Sequence, residues 1–369
     1  MTAEPGAPEI GTTTRNRLIT VVLAIAAAAV FAGCWLLVRQ LTAQAYYGTA
    51  DITDIPVYFD FMKAFAAGGL PYRDIGTAYP PGAFPAFVIP WLVSGGEDAA
   101  YTGTFLSLML GVGILVTVLV TVAVRHLPVP GLHPRAAIVL VAVSPLLVGP
   151  VMTSRFDLWP ALLAGLAIAI AATGRLRIAA IVLGLAIATK AWPAVILPIL
   201  VAAAWRRAGR RAAAIVLLLA VATAALVLAP FLVLAPGGVI ATLTEQLSRP
   251  LQVESLGASL LFVTHFLIGL PLSVVSSFGS QNIDGELASA LAIGSSLAMG
   301  VGLAIVWVRF ARSAGDAARL LTAAAAAVSV YIAFGKVLSP QYVIWLLTIV
   351  PLVPGRRGLV SIGLYAIVL

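Results

Sequence analysis

Charged side chains are scarce in this sequence, and the few that interrupt its apolar runs are where chemistry is possible. Arg155-Phe-Asp157, Lys190, His265 and the stretch Lys336-Val-Leu-Ser339-Pro340-Gln341-Tyr342 all lie within or at the edge of apolar segments. A charge at the centre of a spanning helix costs roughly 2.5–3.5 kcal/mol on insertion scales, so such groups face a wet cavity or a partner. Lys190 separates Ile178–Ala188 from Ala191–Ala204, and neither run alone is long enough to cross about 30 Å of hydrocarbon. Two half-length helices meeting at a lysine imply a polar pocket; the plainer alternative is a lysine snorkelling from a helix end. The three lysines, Lys63, Lys190 and Lys336, stand against 19 arginines. A compact ammonium suits a point contact with phosphate, with coding bias as the alternative explanation.

The elements that must position these groups are membrane helices. Of 369 residues 61% are hydrophobic and 10% charged, and the mean hydropathy is +1.07, which excludes an ordinary soluble enzyme. Apolar runs recur along the whole chain: Leu18–Val38, Thr104–Val124, Ala136–Met152, Leu158–Ala172, Ala212–Leu234, Leu287–Val308, Leu320–Phe334, Tyr342–Val353 and Leu359–Leu369, besides the two halves around Lys190. Shorter pieces, Ala83–Val93 and Ala258–Leu272, read as re-entrant or interfacial helices. The expected fold is all-α and polytopic, with about 10–12 transmembrane or re-entrant helices. Residues 1–14 read as a polar tail and 15–369 as one membrane domain. The last run is too short to span, so the C-terminus is expected to be incomplete. Cys34, the only cysteine, lies inside the first run, which excludes disulfides and thiolate metal sites.

Arginines sort the connections. Arg15, Arg17, Arg125, Arg135, Arg175, Arg177, Arg206, Arg207, Arg210, Arg211, Arg309, Arg312, Arg319, Arg356 and Arg357 fall on one set, with only Glu4, Glu9 and Asp316 among the acids. That set is expected to be cytoplasmic, the N-terminus included, and the alternate set outward. The net charge of +8 then reflects basic loops facing anionic lipid, not nucleic acid. The longest outward loop, from Arg39 to about Tyr101, carries Asp51, Asp54, Tyr58, Asp60, Tyr72, Asp74 and Tyr79. Within it residues 57–67 have helical spacing, with Val57, Phe61, Ala64 and Phe65 apolar, and are expected to lie along the membrane surface. Tyr79-Pro80-Pro81 then turns the chain, because a residue before proline avoids helical angles. The loop acids are either functional or merely solvated. No nucleotide-phosphate loop or dinucleotide fingerprint is present, and His126, His133 and His265 are too scattered for zinc. Any donor must therefore arrive activated and in the membrane.

Taken together, Asp54-x-x-Val-Tyr58, Gly-x-Pro71-Tyr72, Tyr79-Pro-Pro81, Lys190-x-x-Pro193, Arg249-Pro-Leu-Gln-Val-Glu254-Ser255 and Lys336-Val-Leu-Ser-Pro-Gln341-Tyr342-x-x-Trp345 resemble the GT-C glycosyltransferases grouped as family 87. The resemblance implies transfer of a sugar from a polyprenyl-phosphate donor to a lipid-linked or glycan acceptor outside the plasma membrane. Its best-known members are mannosyltransferases of actinobacterial lipoglycan assembly, which makes mannose the expected sugar. On this resemblance Asp54 takes the place of the catalytic base, with Asp51 as competitor, because Val57 and Tyr58 follow Asp54 at the matching distance. Tyr58, one helical turn on, lines the same pocket face. Arg155, Lys190 and Lys336, with Tyr58 and Asp157, are assigned to the donor phosphate and sugar. Tyr72, Tyr79, Glu254, His265, Gln341 and Tyr342 are assigned to acceptor or sugar hydroxyls. Cations can stabilise a phosphate monoester leaving group, so no metal or other cofactor is expected.

Two alternatives share the composition. An arabinofuranosyltransferase would use the same chemistry with another sugar. A lipid flippase or secondary transporter would use none, but the long acidic outer loop and the lack of internal repeats count against it.

Overall fold

The computed structural model describes residues 10–48 and 53–369; the competing carboxylate Asp51 lies outside the described residues. The chain is a helical, multi-pass membrane protein. Among the described residues five helices are long and apolar enough to cross a membrane, and shorter apolar helices fill the spaces between them. In chain order they are α1 (Ile10–Ala43), α2 (Ile55–Ala66), α3 (Pro85–Ser94), α4 (Asp98–His126), α5 (Pro134–Val148), α6 (Pro150–Thr153), α7 (Leu158–Ala172), α8 (Leu176–Thr189), α9 (Leu197–Leu234), α10 (Pro236–Ser248), α11 (Leu256–Ile268), α12 (Glu286–Ala311), α13 (Ala317–Phe334) and α14 (Gly355–Val368). The first helix starts at Ile10, inside the stretch that reads from sequence as a tail.

The core is built on small residues. Ala161, Ala164, Ala167 and Ala171 of α7 are fully buried, as are Ala179, Ala180 and Ala186 of α8, so the two helices approach closely. In lipid this matters more than bulk, because hydrocarbon is as good a solvent for leucine as a neighbouring helix is. The outward faces of α4, α9 and α12 carry Leu115, Leu218, Leu226, Ile293 and Leu297, all exposed, as lipid contact requires.

Two breaks shape the bundle. At the end of α8 the chain becomes extended at Lys190 (φ −159°, ψ 141°) and re-enters through the 3-10 turn Trp192–Ile196, where Pro193 prevents a continuous helix. Inside α9, Ala208 and Gly209 leave helical angles, and the Gly209 φ of +76° suits a residue without Cβ. That second break separates the runs Ala191–Ala204 and Ala212–Leu234 and carries Arg206, Arg207, Arg210 and Arg211. Other arginine-bearing connections meet there or nearby: Arg206 Nη1 donates to the Ala311 carbonyl (3.1 Å), and a Cβ at Gly174 would meet Arg207. The arginine turns thus gather at one end of the bundle.

Three features depart from the sequence reading. In α2 the buried residues are Ile55, Tyr58, Phe61 and Met62, while Val57 and Phe65 are exposed. The apolar face is rotated because Tyr58 enters a ring cluster with Phe87 (4.4 Å), Phe105 (5.3 Å) and Phe156 (5.9 Å). The stretch Pro340–Leu352 winds as 3-10 helix, not as the apolar α-helical run that the sequence suggests. A small antiparallel sheet, order β1-β3-β2, has no counterpart in the all-helical expectation: β1 (Leu251–Gln252), β2 (Ser273–Ser277) and β3 (Ser280–Asp284). Phe278-Gly279 closes the β2–β3 hairpin with both φ positive, as a two-residue turn needs. Leu251 and Ile283 of the sheet pack on Ala258 and Leu261 of α11 and on Ala288 and Ala292 of α12.

Candidate active site

The tripeptide Arg155-Phe156-Asp157 sits in the bend between α6 and α7 and looks two ways. Arg155 Nη1 forms an ion pair with Asp54 Oδ2 at the start of α2, both side chains being about four-fifths buried (17% and 24% exposed). Tyr58, one turn along α2, donates its hydroxyl to the same Asp54 oxygen at 3.4 Å, a long bond. Burial first, then the nearby Tyr79 and the Asp157 charge, push the Tyr58 hydroxyl well above its usual value. It stays protonated and faces the Asp54 carboxylate as a donor, with the Phe156 backbone and the Tyr79 hydroxyl also in hydrogen-bonding reach. Tyr79 stands beside it, ring centroids 5.5 Å apart, pushed up to about 12 mainly by burial. The Tyr72 hydroxyl donates to the Tyr79 carbonyl at 2.6 Å and fixes the turn that delivers Tyr79.

On the other side Asp157, 1% exposed, accepts from Lys190 Nζ at 2.6 Å and from the Trp345 indole at 2.5 Å. The Asp157 carboxylate thus ties the α8 break to Trp345, 188 residues beyond Asp157, in the 3-10 segment. The Lys190 ammonium lies 5.0 Å from the Phe156 ring centre, 5.2 Å from Trp345 and 5.7 Å from Tyr342, so aromatic faces surround whatever charge Asp157 leaves uncompensated. Tyr342, Trp345 and Trp192 stack in sequence, at 3.9 Å and 4.9 Å between centres.

The loop before α3 is pressed onto this site. A Cβ at Gly82 would stand 2.6 Å from the Ala188 carbonyl and 2.8 Å from the Thr189 amide, so only glycine lets the Tyr79-Pro-Pro turn reach the end of α8. Trp159 and Thr189 both donate to the Gly82 carbonyl, at 3.2 Å and 3.4 Å, and hold that approach.

Beyond Tyr342 lies a second cationic group. Lys336 Nζ donates to the Leu247 carbonyl at 2.7 Å, and the Lys336 carbonyl accepts from the Gln252 amide at 3.0 Å. Arg249, between those two bonds, donates to Ser280 Oγ at 3.0 Å and more weakly to the Phe278 carbonyl at 3.4 Å. Partial burial first, and the Arg249 guanidinium second, hold the Lys336 ammonium below its ordinary value. Tyr342 is within electrostatic reach of Arg249, Glu254 and Asp157, which makes it the bridge between the two groups.

The structure therefore brings Asp54, Tyr58, Tyr79, Arg155, Asp157, Lys190 and Tyr342 into one contiguous track, with Lys336, Glu254 and Tyr72 at its margins. Gln341 bonds locally, accepting from the Ser339 hydroxyl. His265 is at the C-terminal end of α11, its Nδ1 bonded to the Leu270 carbonyl at 2.6 Å, and makes no contact with the track among the described residues. Phe156, Trp192 and Gly82 belong to the site without being assigned a role from the sequence, and Trp345, quoted there only as the end of a motif, proves to hold Asp157. Gly82 adjoins the Tyr79-Pro-Pro81 motif, so proximity to Pro81 is its available signal. The track lies at the end of the bundle opposite the arginine turns. It is built from the N-terminus of α2, the loop before α3, the C-terminus of α8 and the connections that follow α6 and α13.

These features define an integral-membrane protein with a carboxylate–cation site at one end of its helices. The sequence model of glycosyltransferase family 87 matches residues 77–340, most of the chain, and the protein belongs to that family. The matched span holds Arg155, Asp157, Lys190, Glu254, His265 and Lys336; Asp54, Tyr58 and Tyr72 precede it, and Gln341 and Tyr342 follow it. No curated protein matches the chain significantly.

Proposed function

We propose that the protein transfers mannose from a polyprenyl-phosphate donor to a lipid-linked or glycan acceptor on the outer side of the plasma membrane, with inversion at the anomeric carbon. Family membership makes it a glycosyltransferase with a sugar donor and an acceptor. The observation that carries the finer reading is the Asp54 carboxylate, held by Arg155 and approached by Tyr58, on a track that leads past the Lys190–Asp157 pair to the cationic Lys336 and Arg249 in a membrane-embedded chain. A soluble sugar nucleotide needs no lipid-lined approach; a lipid phosphate does.

In the step we envisage, an Asp54 oxygen takes the proton of the acceptor hydroxyl as that oxygen attacks the anomeric carbon. The carbon–oxygen bond to phosphate breaks on the opposite face, and the phosphate monoester leaves with the electron pair. Its growing charge is met by cationic side chains, which is why no metal is invoked. Arg155 holds Asp54 in place and Asp157 holds Lys190, so the two carboxylates have different tasks. Tyr79 and Tyr342 offer hydroxyls to sugar or acceptor.

The test is transfer by the purified protein in liposomes. Radiolabelled sugar should move from polyprenyl-phosphate mannose to an extractable acceptor, and the arabinose analogue should compete poorly. Movement of unmodified lipid without transfer would sink the enzymatic reading, and preferred use of the arabinose donor would replace mannose. Orientation is checked separately: with Cys34 replaced, a cysteine at Asp74 should react with an impermeant reagent in intact cells, and one at Gly209 only after permeabilisation. The reverse pattern would move the site to the cytoplasmic side.

A further inference from the structure

Of the four cations near the track, two have a carboxylate partner in place: Arg155 pairs with Asp54 and Lys190 with Asp157. Arg249 and Lys336 differ. Among the described residues neither forms an ion pair, and each is held by neutral oxygens alone, Ser280 Oγ and the Phe278 carbonyl for one and the Leu247 carbonyl for the other. The Nε of Arg249 is buried and has no hydrogen-bond partner, a state that buried polar atoms rarely keep. The backbone forces the two cations together, since the segment from Leu247 to Gln252 is bonded to Lys336 on both sides of Arg249. Two like charges anchored on one short segment, neither with an ion-pair partner among the described residues, are arranged for an anion. Their geometry also says what the anion is attached to. The carbonyl that holds Lys336 belongs to Leu247, next to the last residue of α10. Ile240, Leu243 and Leu247 along that helix are all exposed, at the i, i+3, i+7 spacing of one face.

We propose that Arg249 and Lys336 form the seat of the donor's phosphate, and that the Ile240–Leu243–Leu247 face of α10 guides its hydrocarbon chain. This rests on the reading of the donor as a lipid phosphate, and it moves the principal phosphate contact from Lys190 to Arg249. Lys190, already compensated by Asp157, then lies on the sugar side of the seat, with Tyr342 between. Gln252, buried three residues beyond Arg249, has a side-chain oxygen with no partner and suits a hydroxyl of the attached sugar.

The experiment is direct binding of sugar-free polyprenyl monophosphate to the full chain in nanodiscs, with inorganic phosphate as a second probe. Replacing a charge-assisted hydrogen bond by one from a neutral amide weakens binding about 10–100-fold. Arg249→Gln and Lys336→Gln should each show that weakening, and Arg249→Lys should recover most of the affinity. Arg73→Gln, an exposed arginine paired with Asp74 at the same end, should bind as the parent does. Leu243→Gln with Leu247→Gln should weaken the lipid phosphate and leave inorganic phosphate unchanged. If Arg249→Gln and Lys336→Gln bind the lipid normally while the parent still transfers sugar, the seat is wrong and the proposed function stands. If Arg249→Lys loses as much as Arg249→Gln, the residue serves the hairpin and the inference falls. If inorganic phosphate displaces the lipid at equal concentration, the α10 face has no part in it. If the parent neither binds the lipid phosphate nor transfers from it, both readings fall together.

Discussion

Breaking the Asp157–Lys190 pair should hurt more from one side than from the other. The Asp157 side chain is 1% exposed and Lys190 20%, at 2.6 Å separation. With charge centres about 3.5 Å apart and an effective dielectric constant of about 20, the gross attraction is about 5 kcal/mol. Removing one partner of a buried pair typically costs about 3–5 kcal/mol, because the other charge is stranded. Asp157→Asn strands Lys190, whose exposed fifth recovers some water, and keeps a weaker acceptor for Trp345; about 2–3 kcal/mol is expected. Lys190→Met strands a carboxylate that water hardly reaches and leaves it only the Trp345 indole; about 4 kcal/mol is expected. The double variant should be less harmful than the sum by about 2 kcal/mol, well beyond the roughly 0.5 kcal/mol scatter of independent sites. Thermal unfolding in detergent reads this out, at roughly 2 °C per kcal/mol for a chain of this size. Equal effects from the two single variants, or strict additivity in the double, would refute the pair as an energetic unit.

Asp54→Asn should lower turnover by about 10²–10⁴ and leave donor binding in place, because general-base assistance is lost and the phosphate is held elsewhere; retained turnover in a folded, inserted variant would remove Asp54 from the mechanism. Gly82→Ala drives a methyl group into the Ala188 carbonyl and the Thr189 amide, so about 1–3 kcal/mol of stability should be lost on unfolding in detergent, with activity falling alongside as Tyr79 is pushed off the α8 terminus. Lys336 is held below its ordinary value by partial burial and by Arg249, and its ammonium must be charged to hold phosphate. Donor affinity should therefore fall on the alkaline side at a lower pH than a free lysine would give, and in Arg249→Gln that limb should move upward even though affinity itself is weaker; a binding titration across alkaline pH checks the direction.

The scaffold is legible in the sequence because lipid enforces a simple rule. Any segment that crosses must be apolar and helical, so α4, α7, α12 and α13 are visible as runs within a few residues of their ends. What lies off the membrane obeys weaker rules. The strands of the hairpin, Ser-Val-Val-Ser-Ser and Ser-Gln-Asn-Ile-Asp, show no regular apolar–polar alternation, and it turns at Phe278-Gly279, which lacks the Asn-Gly or Asp-Gly signal. Helix α10 is short and polar enough to pass for a loop. The face of α2 cannot be read from pattern alone because Val57 and Phe65 are as apolar as Tyr58 and Met62, and only the tertiary ring cluster decides which pair turns inward. At the site, isolated charges in apolar runs mark Arg155, Asp157, Lys190 and Lys336 as unusual. Which charge neutralises which is not legible, since Asp54 and Arg155 are about a hundred residues apart and nothing local links them. Arg249 is hidden for the opposite reason: it sits in a polar stretch, where an arginine is ordinary until its neighbours prove to be neutral.

The bond from Trp345 to Asp157 also sets an order of events during synthesis. Ribosomes add about 5–20 residues per second, so Lys190, 33 residues after Asp157, follows it out within a few seconds, whereas Trp345, 188 residues later, arrives roughly 10–40 s after it. During that interval the half-made protein holds an acid and an amine paired with each other, without the indole that completes their surroundings. The early pair keeps the nascent helices from delivering a bare charge to lipid, and the late indole completes the shell. A ribosome stalled between these two points should leave a protein that is inserted and ion-paired, yet without the Tyr342–Trp345 wall beside Lys190.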